Sequence, residues 1–237
     1  MRIVPKDQDM ELARALYAEF SAKPGSKHIA SEYALAGLSS LLNWLKPTAV
    51  LEIGAGIGTL TRLLMTHPVG VKRIVAFEDN DFCYEQLTKN LPIEAAPNVE
   101  IIRSTAKLEP MQDQFQLMVL DGVHNEDWEP VYAKFQKGAV VYFEGVQKNS
   151  RGALPVELAA RGLRCDLTNN RPPGRKFLTT RLQDHRFLGM RVPKIRVLHK
   201  VKGYWVGRVE EAEVASGSRD HAAGSEQLEA AQSTSRA

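Results

Sequence analysis

Residues 48–65 read Thr48-Ala-Val-Leu-Glu-Ile-Gly-Ala-Gly-Ile-Gly-Thr-Leu-Thr-Arg-Leu-Leu-Met65. The stretch opens on a short apolar run, Ala49, Val50, Leu51 and Ile53, suited to a buried parallel strand. Gly54, Gly56 and Gly58 follow, where the backbone can turn sharply and approach a ligand more closely than a Cβ allows. From Thr59 the apolar period becomes helical, with Leu60, Leu63 and Leu64 on one face. Strand, glycine turn and helix together aim the N–H groups of a helix N-terminus at whatever lies above the sheet. That arrangement suits a nucleotide-like ligand.

Spacing decides which ligand. A dinucleotide fingerprint needs Gly at the first, third and sixth positions, and the sixth position counted from Gly54 is Thr59. The pattern Glu52-x-Gly54-x-Gly56-x-Gly58 instead resembles motif I of the class I S-adenosylmethionine-dependent methyltransferases. The resemblance implies that Glu52 lies near the methionine end of the cofactor. It also implies that Gly54, Ala55, Gly56, Gly58 and Thr59 form its cradle. About twenty residues on, Arg73-Ile-Val-Ala-Phe-Glu78 reads as a second apolar strand ending in a carboxylate. A carboxylate there can accept two charge-assisted hydrogen bonds from a ribose diol. Glu78 matches the family's acid at that strand end, and Asp79 takes its place if the register shifts by one.

With 237 residues and 43% hydrophobic content, the chain can bury one sizeable α/β core. No apolar run approaches the roughly 20 residues that span a bilayer, and the polar N-terminus lacks a signal-peptide core. Cys83 and Cys165 are too few for a disulfide framework or a metal knuckle and read as small hydrophobes, as in a reduced, cytoplasmic protein. Charge is uneven: residues 171–202 hold 10 Lys/Arg against Asp184 alone, while 210–237 hold 6 acids and 2 arginines. The last segment, poor in aromatics and rich in Ala, Ser and Gly, is expected to be a disordered acidic tail.

Helical spacing is present over 9–20 and 31–45. Strands are expected at 48–53, 73–78, 98–103, 116–121 and 138–144, with gaps long enough for crossover helices such as 81–90 and 125–135. Leu163–Thr168 and Gly203–Val209 are two further strand candidates. The expected architecture is a Rossmann-like, doubly wound, mostly parallel seven-stranded sheet with helices on both faces. The resemblance implies that its last strand is antiparallel. Residues 1–26 read as an N-terminal helical flank and 27–209 as the methyltransferase-like domain, with 171–202 a basic insertion between the last two strands.

In such sheets ligands lie beyond the carboxyl ends of the strands. After strand three, Ser104 and Thr105 match the family loop that commonly holds adenine. After strand four comes Asp121-Gly-Val-His124, which resembles a group of small-molecule O-methyltransferases. The resemblance implies catalytic or cofactor contacts for Asp121 and a general-base role for His124, whose ordinary pKa near 6.5 suits proton transfer. In metal-dependent members the Asp binds a divalent cation such as Mg²⁺ with two ligands after strand five; Glu144 matches the first and Gly145 fails the second. The Pro-Pro tetrapeptide of adenine and glutamine N-methylation is missing after strand four, and no Pro-Cys nucleophile occurs. Oxygen methylation of a small molecule is therefore the expected reaction.

The basic segment suits an anionic acceptor, and the alternative is an RNA backbone, although Phe177 and Phe187 supply little stacking. A non-catalytic cofactor-binding module and an aminopropyl-transferring relative are further alternatives. The helix over 9–20 and the basic segment both offer homodimer surfaces, between which the sequence does not choose.

Overall fold

A computed structural model describes residues 1–121, 128–144, 148–171, 178–183, 186–187, 190–191, 195–200 and 204–212. The apolar runs become strands β1 (Ala49–Ile53), β2 (Arg73–Phe77), β3 (Val99–Ile102), β4 (Leu117–Leu120) and β5 (Val140–Phe143). These lie parallel in the order β3-β2-β1-β4-β5. Strands β6 (Leu163–Cys165) and β7 (Thr168–Asn170) follow, then β8 (Leu178–Gln183), β9 (Arg186–Phe187), β10 (Met190–Arg191), β11 (Ile195–Lys200) and β12 (Tyr204–Glu211). β12 runs antiparallel to β5, pairing Trp205 with Phe143 and Arg208 with Val140.

β6 and β7 both pair with β12, Cys165 opposite Val209 and Thr168 opposite Val206, in one continuous register. The strand expected over 163–168 is thus interrupted at 166–167 and runs on to Asn170. Eight strands fill the seven positions across the sheet. Gly207 sits opposite the interruption, where a Cβ would stand 2.6 Å from Cys165 Sγ and 2.8 Å from the Asp166 carbonyl oxygen.

Helices α1 (Asp7–Ser21), α2 (Glu32–Leu45), α3 (Thr59–Thr66) and α4 (Asp81–Asn90) cover one face. α5 (Glu129–Tyr132) and α6 (Lys148–Ala160) contribute to the core on the other. β1 shows why the sheet is buried on both sides: Val50 packs with the α2 and α3 core, while Leu51 and Ile53 pack with that of α5 and α6. The helix expected over 125–135 is the single turn of α5, and 125–127 lie outside the described residues. β12 continues through Glu210 and Glu211, which pair with Arg164 and Lys137, so these two belong to the sheet rather than to the expected tail. Residues 213–237 lie outside the described set.

The N-terminal flank packs into the main core through Met10, Ala13, Leu16 and Phe20. Its buried Asp9 accepts hydrogen bonds from Ser39 Oγ (2.7 Å), Ser40 Oγ (2.5 Å), Asn43 Nδ2 (3.0 Å) and the Lys6 N–H (3.1 Å). His67 extends the network. Its Nδ1 accepts from the Val69 N–H, so the ring proton sits on Nε2, 3.1 Å from Ser39 Oγ. Burial holds the His67 pKa down against the charge of Asp9, which keeps the imidazole neutral. No helix among the described residues is long and apolar enough to cross a membrane.

Candidate functional site

Strand order reverses between β1 and β4, and this is where an open α/β sheet leaves a crevice above its carboxyl ends. The acids that end the strands are set there by the ladder: Asp121 N–H donates to Ile53 O, Glu144 N–H to Leu120 O and Glu78 N–H to Ile102 O, at 2.9–3.0 Å. Between β1 and α3 the chain turns through Gly54, Gly56 and Gly58, all at positive φ. Gly58 stands just ahead of α3, and a Cβ there would meet Leu91 Cδ1 at 2.9 Å. At Gly56, with φ of 58°, a Cβ would meet nothing within 4 Å. A side chain at Gly56 would therefore project into open space rather than into the protein.

Glu78 ties this turn to the end of β2. Its Oε2 accepts the Gly56 N–H at 2.6 Å and its Oε1 accepts the Asn80 N–H at 3.0 Å. Burial raises its pKa, outweighing the two backbone hydrogen bonds that favour the charged form. Asp79 is exposed, and its carbonyl receives Arg103 Nη2 at 2.9 Å, so Glu78 is the acid joined to the glycine turn. Asn80 caps α4 by accepting the Cys83 N–H at 3.0 Å.

Glu52 is wholly buried on β1. Its Oε2 accepts from Thr61 Oγ1 at 2.8 Å, while Oε1 has no partner. Burial, with some help from the charge of Glu78, pushes its pKa up to about 7, against the Thr61 hydrogen bond. Thr59, at the start of α3, buries an Oγ1 that likewise has no partner. Asp121 keeps part of its surface on the crevice and shares a side-chain hydrogen bond with the buried Glu144. Burial, then the charge and hydrogen bond of Glu144, hold the Asp121 carboxyl well above the usual carboxylate range.

Beside these groups lies a cleft of about 370 Å³, lined by Ala55, Gly56 and Thr59 of the turn, Asn80 and Phe82 of the α4 start, and Asp121; Glu52, Glu78 and Glu144 stand behind the lining rather than in it. Its far wall was not anticipated from the sequence: Gly25, Lys27 and His28, from the loop joining α1 to α2, face the glycine turn across it. Pro24-Gly25 marked a turn but not its destination. Gly25 is held there by close packing, since a Cβ would stand 2.8 Å from Ile57 Cγ2 and 2.9 Å from Phe82 Cε1.

The remaining expected residues sit elsewhere. Ser104 is exposed and caps the short 3₁₀ turn Thr105–Leu108 by accepting the Ala106 N–H; neither it nor the buried Thr105 lines the cleft. His124 and Gly145 lie outside the described residues. The expected Mg²⁺ pair does not fit a cation well. Burial and the neighbouring Glu144 hold Asp121 toward its neutral form, where a metal requires a carboxylate, and no metal-holding group of His, Cys, Asp and Glu occurs among the described residues.

Several solved structures share this fold. The fold is similar to that of a precorrin-6Y C5,15-methyltransferase from Geobacter metallireducens, at 17% identity over 78% of this chain and 92% of that one, with a TM-score of 0.52. It is similar to a tRNA (m1A58) methyltransferase from Aquifex aeolicus, at 18% identity over 83% and 76% of the two chains, TM-score 0.53. A third similar structure is a SAM-dependent O-methyltransferase from Thermotoga maritima, at 12% identity over 83% and 71%, TM-score 0.54. The fold is that of the class I S-adenosylmethionine-dependent methyltransferases. No protein-family model matches the sequence, and no curated protein matches it.

Proposed function

We propose that the protein is an S-adenosylmethionine-dependent methyltransferase acting on an acceptor oxygen. One observation carries the reading: Gly56, which lines the cleft, donates its N–H to Glu78 Oε2, joining the glycine turn to the acid that ends β2. Glu78 has both carboxylate oxygens anchored by backbone N–H groups and lone pairs left over, which suits it to receive a ribose diol. Gly54, Ala55, Gly56, Gly58 and Thr59 would form the cradle, and Glu52 would set the local field from beneath.

Electrostatics support this cofactor over a dinucleotide. Glu52, Glu78, Asp121 and Glu144 end or flank neighbouring strands; burial raises the pKa values of the first three, with repulsion from Glu78 adding at Glu52 and from Glu144, Glu52 and Glu78 adding at Asp121. A ligand with cationic sulfonium and ammonium groups relieves that repulsion, whereas a pyrophosphate adds to it. When bound, S-adenosylmethionine supplies a methyl group on a positively charged sulfur. Asp121 borders the cleft and would hydrogen-bond the acceptor hydroxyl, taking its proton when the carboxyl is ionised. The Asp121–Glu144 pair would titrate as a unit. His124, three residues on, is the second proposed proton acceptor. No step requires Mg²⁺.

Calorimetric titration of the purified chain with S-adenosylmethionine and with NADH, each with and without Mg²⁺, tests the reading. Micromolar binding of the methyl donor alone, unchanged by Mg²⁺, is the expected result. Binding of NADH in its place by folded protein would remove the methyltransferase reading.

A further inference from the structure

The glycine turn hands over to α3 without a side-chain cap. The N-cap residue is Gly58, so no side-chain oxygen there satisfies the first N–H groups of the helix, where the positive end of its dipole also lies. Thr59, the first helical residue, is 4% exposed and lines the cleft. Its Oγ1 has no hydrogen-bond partner in the protein. A buried hydroxyl left unpaired is costly, and a ligand that accepts its proton removes that cost.

The wall across the cleft brings positive charge. Lys27 and the neighbouring His28 are exposed residues that line the same space. The backbone around them is fixed from both sides. Gly25 turns it at φ of 83°, packed so closely on Ile57 and Phe82 that a Cβ there would collide with both. The Ser26 N–H donates to Lys23 O at 3.2 Å. On the other side Ala30 is buried, and Ser31 Oγ caps α2 by accepting the Ala34 N–H at 3.3 Å. Ile57 belongs to the glycine turn and Phe82 to the start of α4, so the loop is registered on the cradle itself.

The lining is therefore divided by charge. Asp121 stands in it on the sheet side, with the charges of Glu52 and Glu78 close enough to act on its carboxyl. Against that stand an uncapped helix end, an unpartnered hydroxyl and an ammonium group, all suited to an anion. A single carboxylate matches them. One of its oxygens can accept from the helix N–H groups and Thr59 Oγ1, and the other from Lys27 Nζ. The amino-acid end of S-adenosylmethionine carries such a carboxylate beside its ammonium, so it answers both sides of the cleft at once.

We propose that the N-terminus of α3, Thr59 Oγ1 and Lys27 form a carboxylate-binding corner, which holds the amino-acid end of the methyl donor and selects it over decarboxylated S-adenosylmethionine. The proposal rests on the methyltransferase reading and gives the donor one orientation, with its ribose at Glu78 and its carboxylate at Thr59. It also separates methyl transfer from aminopropyl transfer, whose donor lacks this group.

The test titrates the full chain by calorimetry with S-adenosylmethionine and with its decarboxylated form, which differ only in the carboxylate. The parent should bind the decarboxylated ligand about tenfold or more weakly. Lys27→Met and Thr59→Val should each weaken S-adenosylmethionine about three- to tenfold and leave the decarboxylated ligand within about twofold. Lys27 is exposed, so its variant keeps the test open if the buried Thr59→Val does not fold. Equal affinity of the parent for the two ligands overturns the proposal and leaves the methyltransferase reading standing. Variants that weaken both ligands alike, or neither, overturn it as well, since the carboxylate is then held elsewhere. Binding of neither ligand by folded parent protein removes the methyltransferase reading, and the proposal with it.

Discussion

Glu78 accepts backbone hydrogen bonds on both oxygens, so its carboxylate is aimed before any ligand arrives. Glu78→Ala should weaken S-adenosylmethionine binding by about 1.5–3 kcal/mol, the worth of hydrogen bonds to a charged group, as read by calorimetry; unchanged affinity in a folded variant would sink the assignment. Glu52 governs stability instead. Its folded pKa of about 7 stands above the ordinary 4.5, so the folded state holds the proton more tightly than the unfolded chain. The resulting stability is fully present below about pH 4.5 and is lost as pH rises to about 7, by on the order of 3 kcal/mol. Glu52→Gln should abolish that slope and leave the protein more stable than the parent at pH 8, in denaturant melts at both ends of the range. Parallel pH profiles for the two proteins would refute this. At the catalytic end, Asp121→Asn should lower turnover about 10²–10⁴-fold with cofactor affinity retained. If His124→Ala instead removes the acidic limb of the pH–rate profile, the proton goes to histidine.

At the scale of elements, α1 is held by its apolar stripe and, beside it, by one buried carboxylate. Asp9 gathers hydrogen bonds from Ser39, Ser40 and Asn43 of α2, and Ser39 passes the network to His67 just past α3. Asp9→Ala leaves the buried Ser39 hydroxyl, with Ser40 and Asn43, without this acceptor and should cost roughly 3 kcal/mol, with faster proteolysis in the loop at 22–25 as α1 detaches. A stability loss within error of zero would show the network to be incidental. The Met10, Leu16 and Phe20 period was visible in the sequence, but a charged residue facing inward at position 9 was not. Only the approach of α2 supplies its partners. The pairing of β8 with β11 was missed for a related reason. Thr179, Thr180, Ile195 and Val197 carry the β-branched signal of strands, yet the arginines between them made the segment read as charge alone.

For the whole molecule, the cleft exists because strand order reverses between β1 and β4, which brings residues 54–59 and 121 together across more than sixty positions of chain. The N-terminal loop then closes it through Gly25, packed between Ile57 and Phe82. A ligand bound only by the folded state stabilises it by mass action, about 2.7 kcal/mol at one hundred times Kd. For a chain of this size, saturating S-adenosylmethionine should therefore raise the melting temperature by about 5–10 °C. No shift, with folded protein, would count against the cofactor.

Local chemistry determined much of this. Apolar runs of strand length separated by helical periods specify a doubly wound parallel sheet. The spacing Glu52-x-Gly54-x-Gly56-x-Gly58, with Glu78 after the next strand, places a glycine turn joined to a buried acid at its carboxyl edge. Those signals are short-range, because backbone turns and strand ends are set by residues within a few positions of one another. Tertiary structure decided the rest: the hydrogen bond between Asp121 and Glu144, the raised pKa of Glu52, the wall built from Gly25, Lys27 and His28, and the interruption of the outermost strand opposite Gly207. Each depends on groups distant in sequence meeting in a low-dielectric interior, where burial and neighbouring charge, neither of them a property of any one residue, fix what a side chain does.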